Sequence, residues 1–234
     1  MRVVLVALAM LCVLAAPAAA FEEEVIEIVV PGTGTILRVW VIYPDEYDPA
    51  KPTPTLLTFP PGGQDLVMVD YSFNWWGREA IKRGWLLLGA AAPPAAQWPY
   101  LARDLLGFLM QSLLERYNVE GGKFHLAGFH TGGTSVFAAA LGYPELVRSM
   151  TAIPGMLPAK EDAALLGRLK GIPVTMFVGE TDTQFVGPMR ALQEQLTKAG
   201  ATSTLEVIPS AGQELTVFRD AGAAVLFDRM ALAR

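Results

Sequence analysis

The stretch KFHLAGFHTGGTSVFAAALGYPELV, residues 123–147, restricts the fold more than any other part of the chain. An apolar, strand-like run ends at Gly128-Phe129-His130-Thr131-Gly132-Gly133 and passes without a spacer into a helix-like run. A strand can turn directly into a helix only where side chains are absent from the inside of the turn, and the glycines around His130 leave that space.

The rest of the chain has matching punctuation. EVIEIVV, PGTGT and ILRVWVIYP read as two strands joined by a tight turn. Short apolar runs follow at TLLTF from Thr55, WLLLGAAA from Trp85, KFHLAGF from Lys123, SMTAI from Ser149, PVTMFVG from Pro173 and STLEVI from Ser203. Helix-length segments separate them: residues 98–117 place Leu101, Leu105, Phe108 and Leu109 at helical spacing, and residues 188–199 do so with Met189, Leu192 and Leu196. This order predicts an α/β fold with a mostly parallel sheet of about eight strands, helices on both faces and no large lid. Ligands bind such sheets at the carboxyl ends of the strands. The loops of interest therefore follow Phe59, Ala92, Phe129, Val178 and Ile208.

The first residues, MRVVLVALAMLCVLAAPAAA, have one cation at Arg2, an apolar run from Val3 to Leu14, then Pro17 and the small residues Ala18 to Ala20. That is the pattern of a secretory signal, with a retained anchor as the alternative, although the run is too short for an ordinary membrane span. The expected organisation is a signal peptide over 1–20 and a single domain over 21–234, secreted or periplasmic. The one cysteine, Cys12, lies inside the apolar run, so the domain itself has neither disulfides nor thiol chemistry. With 234 residues, 52% of them hydrophobic, the chain should bury roughly 70% of its unfolded surface and needs no metal staple. A formal charge of −5 with no basic run argues against a nucleic-acid partner. Two histidines, no cysteine in the domain, no phosphate loop and no dinucleotide fingerprint leave no metal site and no cofactor to expect.

The turn at His130, with RYNVEGGKFHLAG before it and GYPELV after it, resembles the nucleophile elbow G-x-S-x-G of the α/β-hydrolase family. Within that family it is similar to the compact secreted esterases and polyhydroxybutyrate-depolymerase-like members, over nearly the whole of 21–234. The resemblance implies an α/β-hydrolase fold and places His130 at the nucleophile position, Asp182 at the acid position and Gln213 at the base position. It also implies oxyanion donors from the loop Pro60-Pro61-Gly62-Gly63-Gln64 and from the backbone of Thr131. The chain departs from the pattern in three places: serine is replaced by His130, the distal histidine by Gln213, and the usual His-Gly pair of the loop by Pro60-Pro61. Prolines have no N–H to donate, which leaves Gly62, Gly63 and Thr131 as donors.

Ser-His-Asp hydrolysis requires a base that takes the serine proton and returns it to the leaving group. Gln213 cannot carry that proton near neutral pH. No histidine follows residue 130, and His125, inside a strand, reads as a hydrogen-bonded core residue. Loss of one triad member already leaves only roughly 10³- to 10⁴-fold catalysis over water. The expected function is therefore a non-catalytic pseudohydrolase of esterase ancestry that binds a small apolar acid or ester, or a protein partner. The alternative is an active secreted carboxylic-ester hydrolase. In it His130, oriented by Asp182, activates water, or a displaced hydroxyl of Thr131, Thr134 or Ser135 replaces the nucleophile. At His130 itself the plainer reading is a polar plug satisfied by Gln213 or Asp182. Trp75 and Trp98, with Tyr100, are expected to line a shallow open cleft, whereas Trp40 and Trp85 read as strand residues.

Overall fold

In the computed structural model, which describes residues 22–233, eight strands form one sheet. The expected signal segment, 1–20, lies outside the described residues. The strands are β1 (Glu23–Val29), β2 (Ile36–Ile42), β3 (Thr55–Phe59), β4 (Leu86–Ala91), β5 (Phe124–Phe129), β6 (Val147–Ile153), β7 (Val174–Gly179) and β8 (Ser203–Ile208). Their order across the sheet is β1-β2-β4-β3-β5-β6-β7-β8. β1 and β2 pair antiparallel, as do β2 and β4, and every pair from β4 onward is parallel. The turn between β1 and β2 closes with Val30 N–H donating to the Thr35 carbonyl at 2.8 Å.

Five helices cover the sheet: α1 (Leu66–Lys82), α2 (Arg103–Arg116), α3 (Thr131–Gly142), α4 (Val186–Lys198) and α5 (Ala224–Ala231). The central strands are buried on both faces and divide their side chains between two cores, as the two-residue period of a strand dictates. Leu57 and Phe59 of β3, Leu86 and Leu88 of β4, and Phe124 and Leu126 of β5 face a core completed by α2, α3 and α4. Leu56, Leu87, Ala127 and Phe129 face the other, completed by α1 and α5. The helical pattern expected over 98–117 divides in two. Trp98–Tyr100 forms a separate 3-10 turn and α2 begins only at Arg103, because Pro99 cannot occupy a helix interior.

After β3 the chain moves to β4 on one side and then returns to β5 on the other. This reversal leaves a crevice beyond the carboxyl ends of β3 and β5, the general ligand position in open α/β sheets. His130 stands there.

Candidate functional site

His130 joins β5 to α3 with φ 56° and ψ −116°, a left-handed backbone that a side-chain-bearing residue adopts at a cost of about 1–3 kcal/mol. Its N–H donates to the Ile153 carbonyl at 3.1 Å and its carbonyl accepts from Thr134 N–H at 3.1 Å, so neighbouring structure holds the strained turn from both sides. Gly132 permits the geometry, since a Cβ there would overlap the carbonyl oxygen of Phe59 at the end of β3. The first amides of α3, those of Thr131, Gly132 and Gly133, have no acceptor within the helix and mark its positive end.

Asp182 follows β7 by three residues and Gln213 follows β8 by five. Gly179 ends β7 against the backbone of Ala211 and Gly212, where no Cβ would fit. Thr181 ties the two loops together, its N–H and its hydroxyl both donating to the Ala211 carbonyl at 2.9 Å. This close approach carries Gln213 to His130: the amide nitrogen of Gln213 meets Nε2 of the imidazole in a very short hydrogen bond. With the amide donating, Nε2 is the acceptor and the neutral ring keeps its proton on Nδ1. Burial pushes the His130 pKa below the ordinary 6.5, and the nearby Asp182 charge opposes that shift without cancelling it. Phe185 meets the ring edge-on at 4.9 Å between centroids.

Asp182 is only 6% exposed. Its Oδ1 accepts from Phe185 N–H at 3.2 Å, and its buried Oδ2 has no hydrogen-bond partner among the described residues. A carboxylate oxygen in that situation costs about 1–3 kcal/mol of desolvation that nothing recovers.

Beside His130 lies a cavity of about 280 Å³. Met68, Tyr71 and Trp75, spaced three and four residues apart on α1, form one wall; Phe129, Ile153 and Leu215 form much of the remainder. His130, Gln213 and Glu214 are its polar edge, and Pro61 reaches it from the loop after β3. Trp75 rests on Phe129 with 4.0 Å between centroids, and the Arg219 guanidinium lies 5.0 Å from the indole centroid.

Solved structures share this arrangement of strands and helices. A fluorophosphonate-binding serine hydrolase of Staphylococcus aureus superposes with a TM-score of 0.71 at 11% identity, over 92% of this chain and 99% of its own. An S-formylglutathione hydrolase from Agrobacterium tumefaciens gives 0.68 at 13% identity, over 89% and 94%. A thermostable esterase gives 0.65 at 19% identity, over 81% of this chain and 55% of its own, so the chain spans about half of that protein. The chain has the α/β-hydrolase fold. No protein-family model matches it, and no curated protein is similar in sequence.

The α/β-hydrolase fold brings three of the residues singled out in the sequence to one place: His130 and Gln213 are in contact, and Asp182 is close enough to act on the imidazole electrostatically. Trp75 lines the cavity. Trp98 does not. It is 0% exposed and packs in the core on the α2–α4 face, against Phe59, whereas Trp75 belongs to the core on the opposite face. Its indole N–H donates to the Ala90 carbonyl at 3.1 Å, and its backbone N–H donates to the Gln64 side chain at 2.8 Å.

Of the expected oxyanion loop, Pro61 borders the His130 cavity and Gly62 and Gly63 do not. Gly63 lines two outer cavities shared with Ala95, away from His130. Gly62, at φ 61°, accepts from the Gln97 side chain at 2.7 Å through its carbonyl, while Pro61, which has no N–H, is the loop residue that reaches the cavity. Gln64 locks this arrangement. It is fully buried, and its amide donates at 2.9 Å to both the Pro60 carbonyl and Ser135 Oγ. Ser135 in turn donates to the Thr131 carbonyl, and Thr134 Oγ accepts from Met156 N–H, so two of the three hydroxyls considered as displaced nucleophiles are buried and engaged. Met68 and Tyr71 were not singled out in the sequence, although their spacing with Trp75 on one helical face is legible there.

Proposed function

We propose that this chain is a pseudohydrolase, an exported relative of compact esterases of the polyhydroxybutyrate-depolymerase-like kind, which binds a small apolar acid or ester and releases it unchanged. One observation carries this reading: the apex of the elbow holds an imidazole whose Nε2 is occupied by the Gln213 amide, beside an apolar cavity of about 280 Å³. A glutamine there neither takes nor returns a proton, and Pro61 removes an oxyanion donor. The walls formed by Met68, Trp75, Phe129 and Leu215 provide apolar area for a ligand, and the amide of Thr131 orients its polar end. Export rests on the signal-like residues 1–20.

The test is tryptophan fluorescence and thermal shift against aliphatic and aromatic carboxylates and esters, with the ligand recovered and analysed afterwards. A ligand at 100 times its Kd stabilises by about 2.7 kcal/mol, a visible rise in Tm. Recovery of intact ligand, with binding lost in Trp75→Ala, is the expected result. Recovery of hydrolysed ligand contradicts it, and silence across the panel moves the function to a protein partner.

A second reading has its own observation. The unpartnered Oδ2 of Asp182 near His130 is the arrangement that a water-activating imidazole would use, if Gln213 moved aside. Hydrolysis that disappears in His130→Ala is the result that selects it.

A further inference from the structure

The end of the sheet opposite His130 holds a second concentration of chemistry. At the amino ends of β5, β6 and β7 lies a cavity of about 450 Å³ whose lining includes Lys123, Arg148, Arg168 and Lys170, with Glu145 as the carboxylate beside them. The four cations come from separate segments. Lys123 immediately precedes β5, Arg148 lies in β6, Arg168 lies in the last turn of a 3-10 run over Lys160–Leu169, and Lys170 begins the loop to β7. In a chain with 18 Lys and Arg against 23 Asp and Glu, this convergence runs against the average charge.

Two of the cations are held in place by backbone. Arg148 Nη2 donates to the Glu120 carbonyl at 3.2 Å, and Arg168 Nη1 donates to the Leu141 carbonyl near the end of α3 at 2.6 Å. Each bond fixes a guanidinium plane and leaves further N–H donors on the fork. Those bonds account for the arginines as parts of the fold, but Lys123 and Lys170 are exposed and their side chains make no such bond among the described residues. None of the four takes part in the ion pairs found among the described residues. Val147 and Ile172, both buried, back the cavity with apolar atoms.

We infer that this cavity binds a phosphate group. A carboxylate offers two acceptor oxygens in one plane, too few directions for donors that arrive from four segments. A phosphate offers acceptor oxygens in several directions, matching donors that arrive from four segments, and carries close to two charges as a free ion or monoester and one as a diester headgroup. The site is independent of the His130 cavity, at the other end of the sheet.

The group has two possible sources, a soluble phosphate compound or a phospholipid headgroup, and the experiment separates them. Inorganic phosphate, with acetate as comparison, is titrated into the purified protein by calorimetry. In parallel, the protein is sedimented with phosphatidylcholine vesicles that contain or lack phosphatidylglycerol. Binding in either arm is expected to weaken by about tenfold or more in the double variant Lys123→Ala/Lys170→Ala, whose exposed positions leave the fold intact by circular dichroism. Binding of free phosphate assigns a soluble ligand, and binding of the anionic vesicles alone assigns a headgroup. The double variant Lys51→Ala/Lys198→Ala, which removes the same charge elsewhere, is expected to bind as the parent does. Absence of binding in both arms, acetate binding as tightly as phosphate, or an equal loss in the control variant overturns the proposal.

Discussion

The side-chain amide of Gln213 donates to Nε2 of His130, closing the loop after β8 onto the apex of the elbow. One contact thus joins the turn after β5 to the loop after β8. Protonating the imidazole would remove the acceptor and break it.

The pH dependence follows from that contact. Burial holds the His130 pKa below 6.5 in the folded chain, with Asp182 opposing. The unfolded chain therefore takes up the proton first, so the stabilisation is complete above pH 6.5 and is lost as pH falls toward the folded value. Tm should decline more steeply for the parent than for His130→Asn between about pH 7 and about pH 5. Parallel declines would show that the imidazole is not held neutral.

The elbow makes a steric prediction. Gly132→Ala places a methyl group against the Phe59 carbonyl and should cost about 3 kcal/mol or more in urea unfolding. Gly187→Ala, in α4 with open space around it, should be neutral or stabilising by about 0.5–1 kcal/mol. Similar effects at the two positions would contradict the packing of β3 on the elbow.

Trp75 and Trp98 should separate binding from stability. Trp98→Phe loses the indole bond to Ala90 and part of a packed core, lowering stability by about 1–3 kcal/mol while ligand affinity stays as in the parent. Trp75→Ala should lower affinity as well. Loss of affinity in Trp98→Phe at unchanged stability would return that residue to the cleft.

The sequence carried the strand ends because each is a local event: an apolar run stops where a loop begins, and Phe59, Phe129 and Ile208 end their strands as read. For His130 the sequence offered either Gln213 or Asp182 as partner, and the hydrogen bond is made by Gln213. Trp98 was not legible. Its burial depends on Gln64, 34 residues earlier, accepting its backbone N–H, a tertiary contact with no periodic trace. The outward turn of Gly63 escaped for the same reason, since Gln64 sets that loop by reaching Ser135 in α3. The cavity face of α1 did leave a trace at Met68, Tyr71 and Trp75, but helical spacing alone does not say whether a face meets core or cleft.

The remnant geometry can be tested by repair. In His130→Ser with Gln213→His, the new imidazole would stand where the Gln213 amide now lies, and the unpartnered Oδ2 of Asp182 is the acceptor meant to orient it. The double variant should gain slow hydrolysis of short-chain activated esters, and neither single variant should, a strongly non-additive gain. The rate should stay low because Pro61 offers no N–H to the oxyanion. A folded but inactive double variant would mean that the acid or the oxyanion site is no longer in place.

The central claim is that the cavity binds without converting, and activated-ester turnover by the purified protein and by His130→Ala tests it most directly. Both are expected to remain at the buffer rate, and neither to take a fluorophosphonate label. Turnover by the parent that vanishes in His130→Ala would contradict it and make His130 a working base.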